Sequence, residues 1–406
     1  MKKKFLIILF AILICTGCWD RTELNEVAIV TGIALDPGED KKFRVTVGIV
    51  NSSQFTKQGG GDSAPVTIFS LEGNTLAELT NKMNVGVPRR LVYSHTRVLY
   101  ISEEIARKGI ISFLDFLERS GEFRNDFNIL VAKGNKAESF IKINNPIEKI
   151  PSVKVQKQID SFKEDWGGDP GVRLTDFISS IVSKGRAPVV NSVIIEGDVK
   201  KGEKIENNQS SEQAAKVLLN GLSVLKDGKL VGFLTLEETR DYFWTQELKS
   251  TSITMPCHNH KGGKEDQFID LRIYNSTTDV SAYYKNNRPV LEVEIHSEAE
   301  LEGMQCPDDM TKIDTYKKFE EKAGEFIKNN VVTTIKKVQD EYKTDIFGFG
   351  EALNRKHYKK FKEVENHWDE EFTRGDVKVS VDFYLRRSGT RNKSFLTDIP
   401  KGIVEE

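Results

Sequence analysis

The chain has 406 residues, of which 38% are hydrophobic and 30% charged, with a formal net charge of −2. That length holds two or three domains at ~150 residues each. The charge balance argues against a nucleic-acid binder, which needs clustered basic surface. No apolar run beyond the first 17 residues approaches the ~20 that a membrane helix needs, which argues against a channel or transporter.

The N-terminus has its own logic. Lys2, Lys3 and Lys4 form a positive segment, and residues 5–14 form an apolar run of signal-peptide length. Leu13-Ile14-Cys15-Thr16-Gly17-Cys18 then places a cysteine directly after two small residues, the layout of a bacterial lipoprotein, with Cys15 where such sequences usually carry Leu. Cys18 is therefore expected to be the first mature residue and the lipid-attachment site. Two acyl chains at ~0.8 kcal/mol per buried methylene would contribute on the order of 20 kcal/mol. Removing residues 1–17 takes away three lysines and no acid, so the exported part is more acidic still. Of the four cysteines, Cys257 and Cys306 remain. They are either one disulfide, stabilising by ~4 kcal/mol in the chain-entropy model, or two separate thiols.

Residues 27–35 and 43–50 read as a hairpin, with Asp36-Pro37-Gly38 supplying the turn. A strand is expected at 66–71, a helix at 74–83 and a buried strand at 97–101. Ser102 caps one helix over 103–119, and the next strand lies at 127–132. Residues 145–170, with three prolines and Gly167-Gly168, read as a hinge or subdomain boundary. A helix over 174–183 and a strand over 189–196 follow. Residues 200–212 are polar and read as a linker between an N-terminal region, 18–199, and a C-terminal domain, 213–388. In that domain, Asp227-Gly228 turns a hairpin between 215–226 and 229–234, and Thr235 or Glu237 starts a helix through Trp244. Strands are expected at 252–255, 268–274, 281–284 and 290–297. Apolar residues from Ile313 to Tyr342 recur at three- and four-residue steps, describing one helix of about 30 residues. A second helix spans 353–372, a strand closes at 376–385, and 389–406 is a tail. The fold class is α+β and multidomain, with two long helices packed on an antiparallel or mixed sheet in the C-terminal domain.

Candidate sites are few. Gln58-Gly59-Gly60-Gly61 lacks the Lys-Ser/Thr of a phosphate loop. Cys257-His258-Asn259-His260 with remote Cys306 could hold zinc, but the spacing matches no common pattern, so no metal is expected. No zinc-protease or serine-hydrolase motif occurs, so neither catalytic residues nor a cofactor are expected. Asp345-Ile346-Phe347-Gly348-Phe349-Gly350 has two readings. It is a helix-to-helix turn whose Phe rings plug the core, or an exposed aromatic loop that docks on a partner.

Several ordered motifs carry a resemblance. They begin with Gly17-Cys18-Trp19-Asp20-Arg21, Glu23-Leu24-Asn25-Glu26 and Thr31-Gly32-Ile33-Ala34-Leu35-Asp36. Ser94-His95-Thr96-Arg97-Val98, Leu230-Val231-Gly232-Phe233-Leu234 and Thr254-Met255-Pro256-Cys257 follow. The last is the Asp345 to Gly350 run, followed by Trp368. Together they resemble the C subunit of the GerA-type nutrient germinant receptors of spore-forming bacteria. The resemblance implies a non-enzymatic lipoprotein on the outer face of the spore inner membrane, with a polytopic A subunit and a transporter-like B subunit as partners. Trp19, Asp20, Phe347 and Phe349 are the candidate partner contacts. Two other classes compete with this reading. One is a lipid-anchored solute-binding protein delivering a nutrient to a transporter, and the other a cell-wall hydrolase.

Overall fold

In a computed structural model the described residues are 23, 26–51, 64–167, 172–246, 248, 250–257, 267–306 and 308–387. Strand β1, Val27–Pro37, forms a hairpin with β2, Phe43–Val50, and β3, Val66–Gly73, adds antiparallel to β2. Helix α1, Leu76–Lys82, is capped by the Thr75 side chain, which accepts the Glu78 N–H. A short β4, Arg90–Val92, returns parallel to the start of β1. Then β5, Val98–Ser102, runs parallel to β1.

Ser102 caps a helix as expected, but that helix breaks into α2, Glu103–Lys108, and α3, Ile111–Arg119. Gly109 sits at φ 123°, and the Ile110 N–H donates to Gly228 O at 2.9 Å instead of continuing the helical ladder. Strand β6, Asn128–Ala132, and helix α4, Ala137–Lys142, follow. No side chain of its own segment caps α4; buried Asp36, at the end of β1, accepts the N–H groups of Ala137 and Glu138 at 2.7 and 2.8 Å.

The expected hinge over 145–170 contains α5, Pro151–Trp166. Its prolines punctuate rather than loosen it: Pro151 is in the first helical turn, and Gly167, at φ 70°, ends the helix. Helix α6, Leu174–Val182, leads to β7, Val189–Gly197.

The segment read as a linker crosses within one sheet and does not separate two. It forms two short helices, α7, Val199–Gly202, and α8, Glu206–Gln209. Buried Asn207 donates to Asn144 O and Ala215 O and accepts from the Ala214 N–H. Beyond it, β8, Ala215–Lys226, pairs antiparallel with β7, and β9, Lys229–Leu234, pairs antiparallel with β8. The nine-stranded sheet runs β3-β2-β1-β5-β6-β7-β8-β9, with β4 beside β1. Its central strands are parallel and its flanks antiparallel.

Helix α9, Leu236–Trp244, starts from a capping box between Thr235 and Glu238. A four-stranded sheet follows in the order β10-β11-β12-β13: β10, Thr251–Pro256, β11, Phe268–Lys285, β12, Arg288–Met304, and, after the helices, β13, Asp376–Arg387. The two strands expected at 268–274 and 281–284 are one, because β11 stays paired to β12 through register shifts between Asp270/Leu271 and Ile273/Asn275. Cys257, just after β10, and Cys306, just after β12, are both buried and joined as a disulfide, Cα–Cα 6.3 Å.

One long helix, α10, Ile313–Lys337, packs on this sheet and continues as a π-helical turn to Tyr342. The second expected helix is three: α11, Phe349–Lys356, α12, Tyr358–Val364, and α13, Trp368–Thr373. His357 and His367 leave helical geometry between them, and the second break turns Trp368 inward. A single apolar core joins Leu222, Val224 and Leu234 of the large sheet to Ile335, Tyr342 and Phe347 of the C-terminal region.

Candidate functional site: the joint between the two sheets

Segment 183–188, between α6 and β7, lies against the turn at 344–351. Sequence motifs pointed to the second of these and missed the first. Gly185 and Gly350 meet backbone to backbone. A Cβ on Gly350 would stand 2.6 Å from the Gly185 Cα and 2.6 Å from the Trp368 indole nitrogen, so neither position has room for a side chain. The only signal for Gly185 was its place in Lys184-Gly185-Arg186, too common a string to single out.

The contact is tied by backbone and side-chain hydrogen bonds. The Ala187 N–H donates to Asp345 O at 2.6 Å, and the Glu351 N–H donates to Gly185 O at 3.2 Å. Ser183 Oγ donates to Glu351 Oε1 at 2.8 Å. Arg186 Nη2 donates to Tyr242 OH and Gln246 Oε1, both at 2.8 Å, and Gln246 Nε2 donates to Phe347 O. Lys184 pairs with Glu365 at 3.0 Å, and Lys226 with Asp369 at 2.9 Å.

Asp345 holds the turn itself. Its carboxylate is 1% exposed. Oδ1 accepts the Phe347 and Gly348 N–H groups, and Oδ2 accepts those of Gly350 and the Trp368 indole, all at 2.9 Å. Burial pushes its pKa up to about 6, against the pull of these four donors. Gly348, at φ 85°, takes the left-handed conformation that the turn requires. Phe347 and Phe349 are 3% and 0% exposed and pack on Phe372. As surface contacts for a partner they are therefore corrected: the rings fill the core beneath the turn.

A second contact lies nearby. The Tyr342 ring covers Gly232, where a Cβ would overlap it, and Tyr342 OH donates to Phe233 O at 2.6 Å. This explains the glycine in Leu230-Val231-Gly232-Phe233-Leu234. Clefts open on either side of the joint. One is lined by Ile111, Lys226, His367 and Asp369, the other by Arg186, Tyr274, Asp279 and Arg355. The buried carboxylates nearby are committed to structural bonds: Asp345 has four donors, and Asp241 accepts from Thr334 Oγ1 at 2.8 Å. This arrangement fixes the two sheets together. Cys18, Trp19, Asp20, His258 and His260 lie outside the described residues. Cys257 and Cys306 are bonded to each other, so neither offers a thiolate to a metal.

Comparison with known proteins finds similarity along nearly the whole chain. A model described as spore germination protein N-terminal domain matches residues 20–195, and one described as spore germination B3/GerAC like, C-terminal, matches residues 220–389. Spore germination protein KC of Bacillus subtilis (strain 168) is 30% identical over 394 residues, covering 95% of each chain. Spore germination protein B3 of the same organism is 26% identical, covering 96% of this chain and 99% of its own. The crystal structure of the GerBC protein superposes with a TM-score of 0.52 at 21% identity, over 87% of this chain and 97% of that one. The GerBC likeness extends to the α+β architecture itself. From the ordered pair of domain matches and the full-length similarity, the chain belongs to the GerAC-like, or Ger(x)C, family of spore germination proteins.

Proposed function

We propose that the protein is the non-catalytic C subunit of a nutrient germinant receptor, anchored by lipid on Cys18 at the outer face of the spore inner membrane. The full-length similarity to spore germination protein KC carries this reading. Its partners are the polytopic A subunit and the transporter-like B subunit, which supplies the nutrient pocket. Trp19 and Asp20, next to the anchor, are the residues placed to meet those partners at headgroup level. The commitment of Asp345, Arg186 and Asp241 to structural bonds supports a part in assembly or signal coupling over one in chemistry.

The test is Cys18→Ala in spores beside a full deletion, with membrane fractionation and germination scored for each nutrient class. The expected result is loss of the variant from the membrane together with one nutrient response, others persisting. A variant that stays in the membrane with normal germination, beside a deletion that also germinates normally, overturns the reading.

A further inference from the structure

The described chain starts beside one surface loop. Glu26 O accepts the Arg90 N–H at 2.9 Å, and Val27 pairs with Arg90 in the β1–β4 register. Loop 84–90, Asn84-Val85-Gly86-Val87-Pro88-Arg89-Arg90, therefore lies where the chain enters the fold. The Glu26 N–H donates to Glu23 O at 3.0 Å. The five residues from Cys18 to Glu23 reach at most about 18 Å when fully extended. An anchor on Cys18 thus holds this end of the large sheet close to the bilayer. The other end of β1, ten residues on, is about 33 Å away along the strand.

The loop is built to present an apolar tip. Asn84 Nδ2 donates to Arg89 O at 2.8 Å and closes it. Gly86 rests on the Phe69 ring, where a Cβ would overlap, and Met83 is fully buried beneath. Val85 nonetheless stands 85% exposed at the tip. A braced loop that holds a valine in water gains nothing in the isolated protein; burial would recover ~25 cal/mol per Å² of its apolar surface. Arg89 and Arg90 are exposed beside it. Glu122 stands 3.8 Å from Arg90, and no carboxylate among the described residues pairs with Arg89. An apolar side chain flanked by guanidinium groups matches a membrane surface, with the apolar part among the headgroups and the cations on lipid phosphate.

We propose that loop 84–90 is the membrane-contacting surface of the protein, with Val85 inserted among the headgroups and Arg89 and Arg90 on anionic lipid phosphates. The proposal rests on the anchor reading above.

The experiment uses the full lipidated chain in vesicles of brominated phosphatidylcholine and phosphatidylglycerol, in a Trp19→Phe background. Val85→Trp is compared with Lys41→Trp, in the turn at the far end of β1, and the parent's emission loss is subtracted from both. The expected result is added emission loss for Val85→Trp and none for Lys41→Trp. Adding Arg89→Gln should reduce the loss in vesicles with phosphatidylglycerol and leave it unchanged in those of phosphatidylcholine alone. If the chain sediments with vesicles but Val85→Trp is no more quenched than Lys41→Trp, the loop proposal is overturned while the anchor stands. If the lipidated chain does not sediment with vesicles at all, the anchor reading falls and takes the loop proposal with it.

Discussion

The Trp368 indole N–H donates to Oδ2 of Asp345 over 2.9 Å, in a site where the carboxylate is almost wholly buried. This bond pins α13 to the turn that touches Gly185, so one acidic residue holds both the C-terminal helices and the joint between the sheets.

Asp345 gives stability a pH dependence of defined sign. Its folded pKa is raised to about 6 from an ordinary 3.8, chiefly by burial. The folded state then binds the proton more tightly than the unfolded chain. This contribution is complete below about pH 4 and is lost as pH rises through about 6, by on the order of 3 kcal/mol. Asp345→Asn abolishes it and replaces one of the two oxygens with an amide nitrogen, which sets its hydrogens against two of the four donors and costs ~1–3 kcal/mol or more. Asp241 is shifted in the same direction, also to about 6, so the readout is the difference between wild type and variant in urea unfolding from pH 4 to pH 7. A difference that stays constant across that range refutes the assignment.

Gly185 and Gly350 tolerate no methyl group. A Cβ on Gly185 would stand 2.5 Å from the Glu351 nitrogen and from the Gly350 carbonyl carbon, both backbone atoms. Gly185→Ala and Gly350→Ala should each lower stability by at least ~2 kcal/mol. Gly121→Ala, where a Cβ meets nothing within 4 Å, should stay within ~0.5 kcal/mol. Denaturant midpoints measured on the three variants check this, and equal midpoints for all of them would show that the joint is not close-packed.

The Cys257–Cys306 bridge closes a sequence separation of 49 residues. In the chain-entropy model such a closure stabilises by ~4 kcal/mol. Replacing both cysteines with Ala should therefore lower the urea midpoint under oxidising conditions, and adding reductant to the wild type should lower it comparably. A thiol titration of the denatured, unreduced mature protein that finds both cysteines free would refute the pairing.

Much of the architecture follows from short-range signals. Asp227-Gly228 turns the hairpin expected at that point, with positive φ at both residues. Ser102 and Thr235 cap the helices that follow them. The alternation of Val377, Val379, Val381 and Phe383 marks β13, and the apolar spacing from Ile313 marks α10. Each of these features depends on residues within about one turn or one strand of each other, and so can be read in a single window.

Pairings over long sequence distance cannot be read that way. The polar composition of 200–212 suits a linker, yet Asn207 uses it to bond Asn144, and β8 returns to the sheet it was expected to leave. The helix over 103–119 keeps its apolar stripe, but Gly228 takes the Ile110 N–H and breaks it. The Asp345 turn was legible as a motif, and its aromatic rings admitted both a surface and a core. Burial by α13 and the Gly185 backbone decided for the core. Sequence alone thus determined the family resemblance, the caps, the turns and most of the strands, because these depend on neighbouring residues. Tertiary structure decided which strands share a sheet, where helices break and which side of the turn is buried, because those outcomes depend on donors and surfaces from other elements, tens of residues to well over a hundred away.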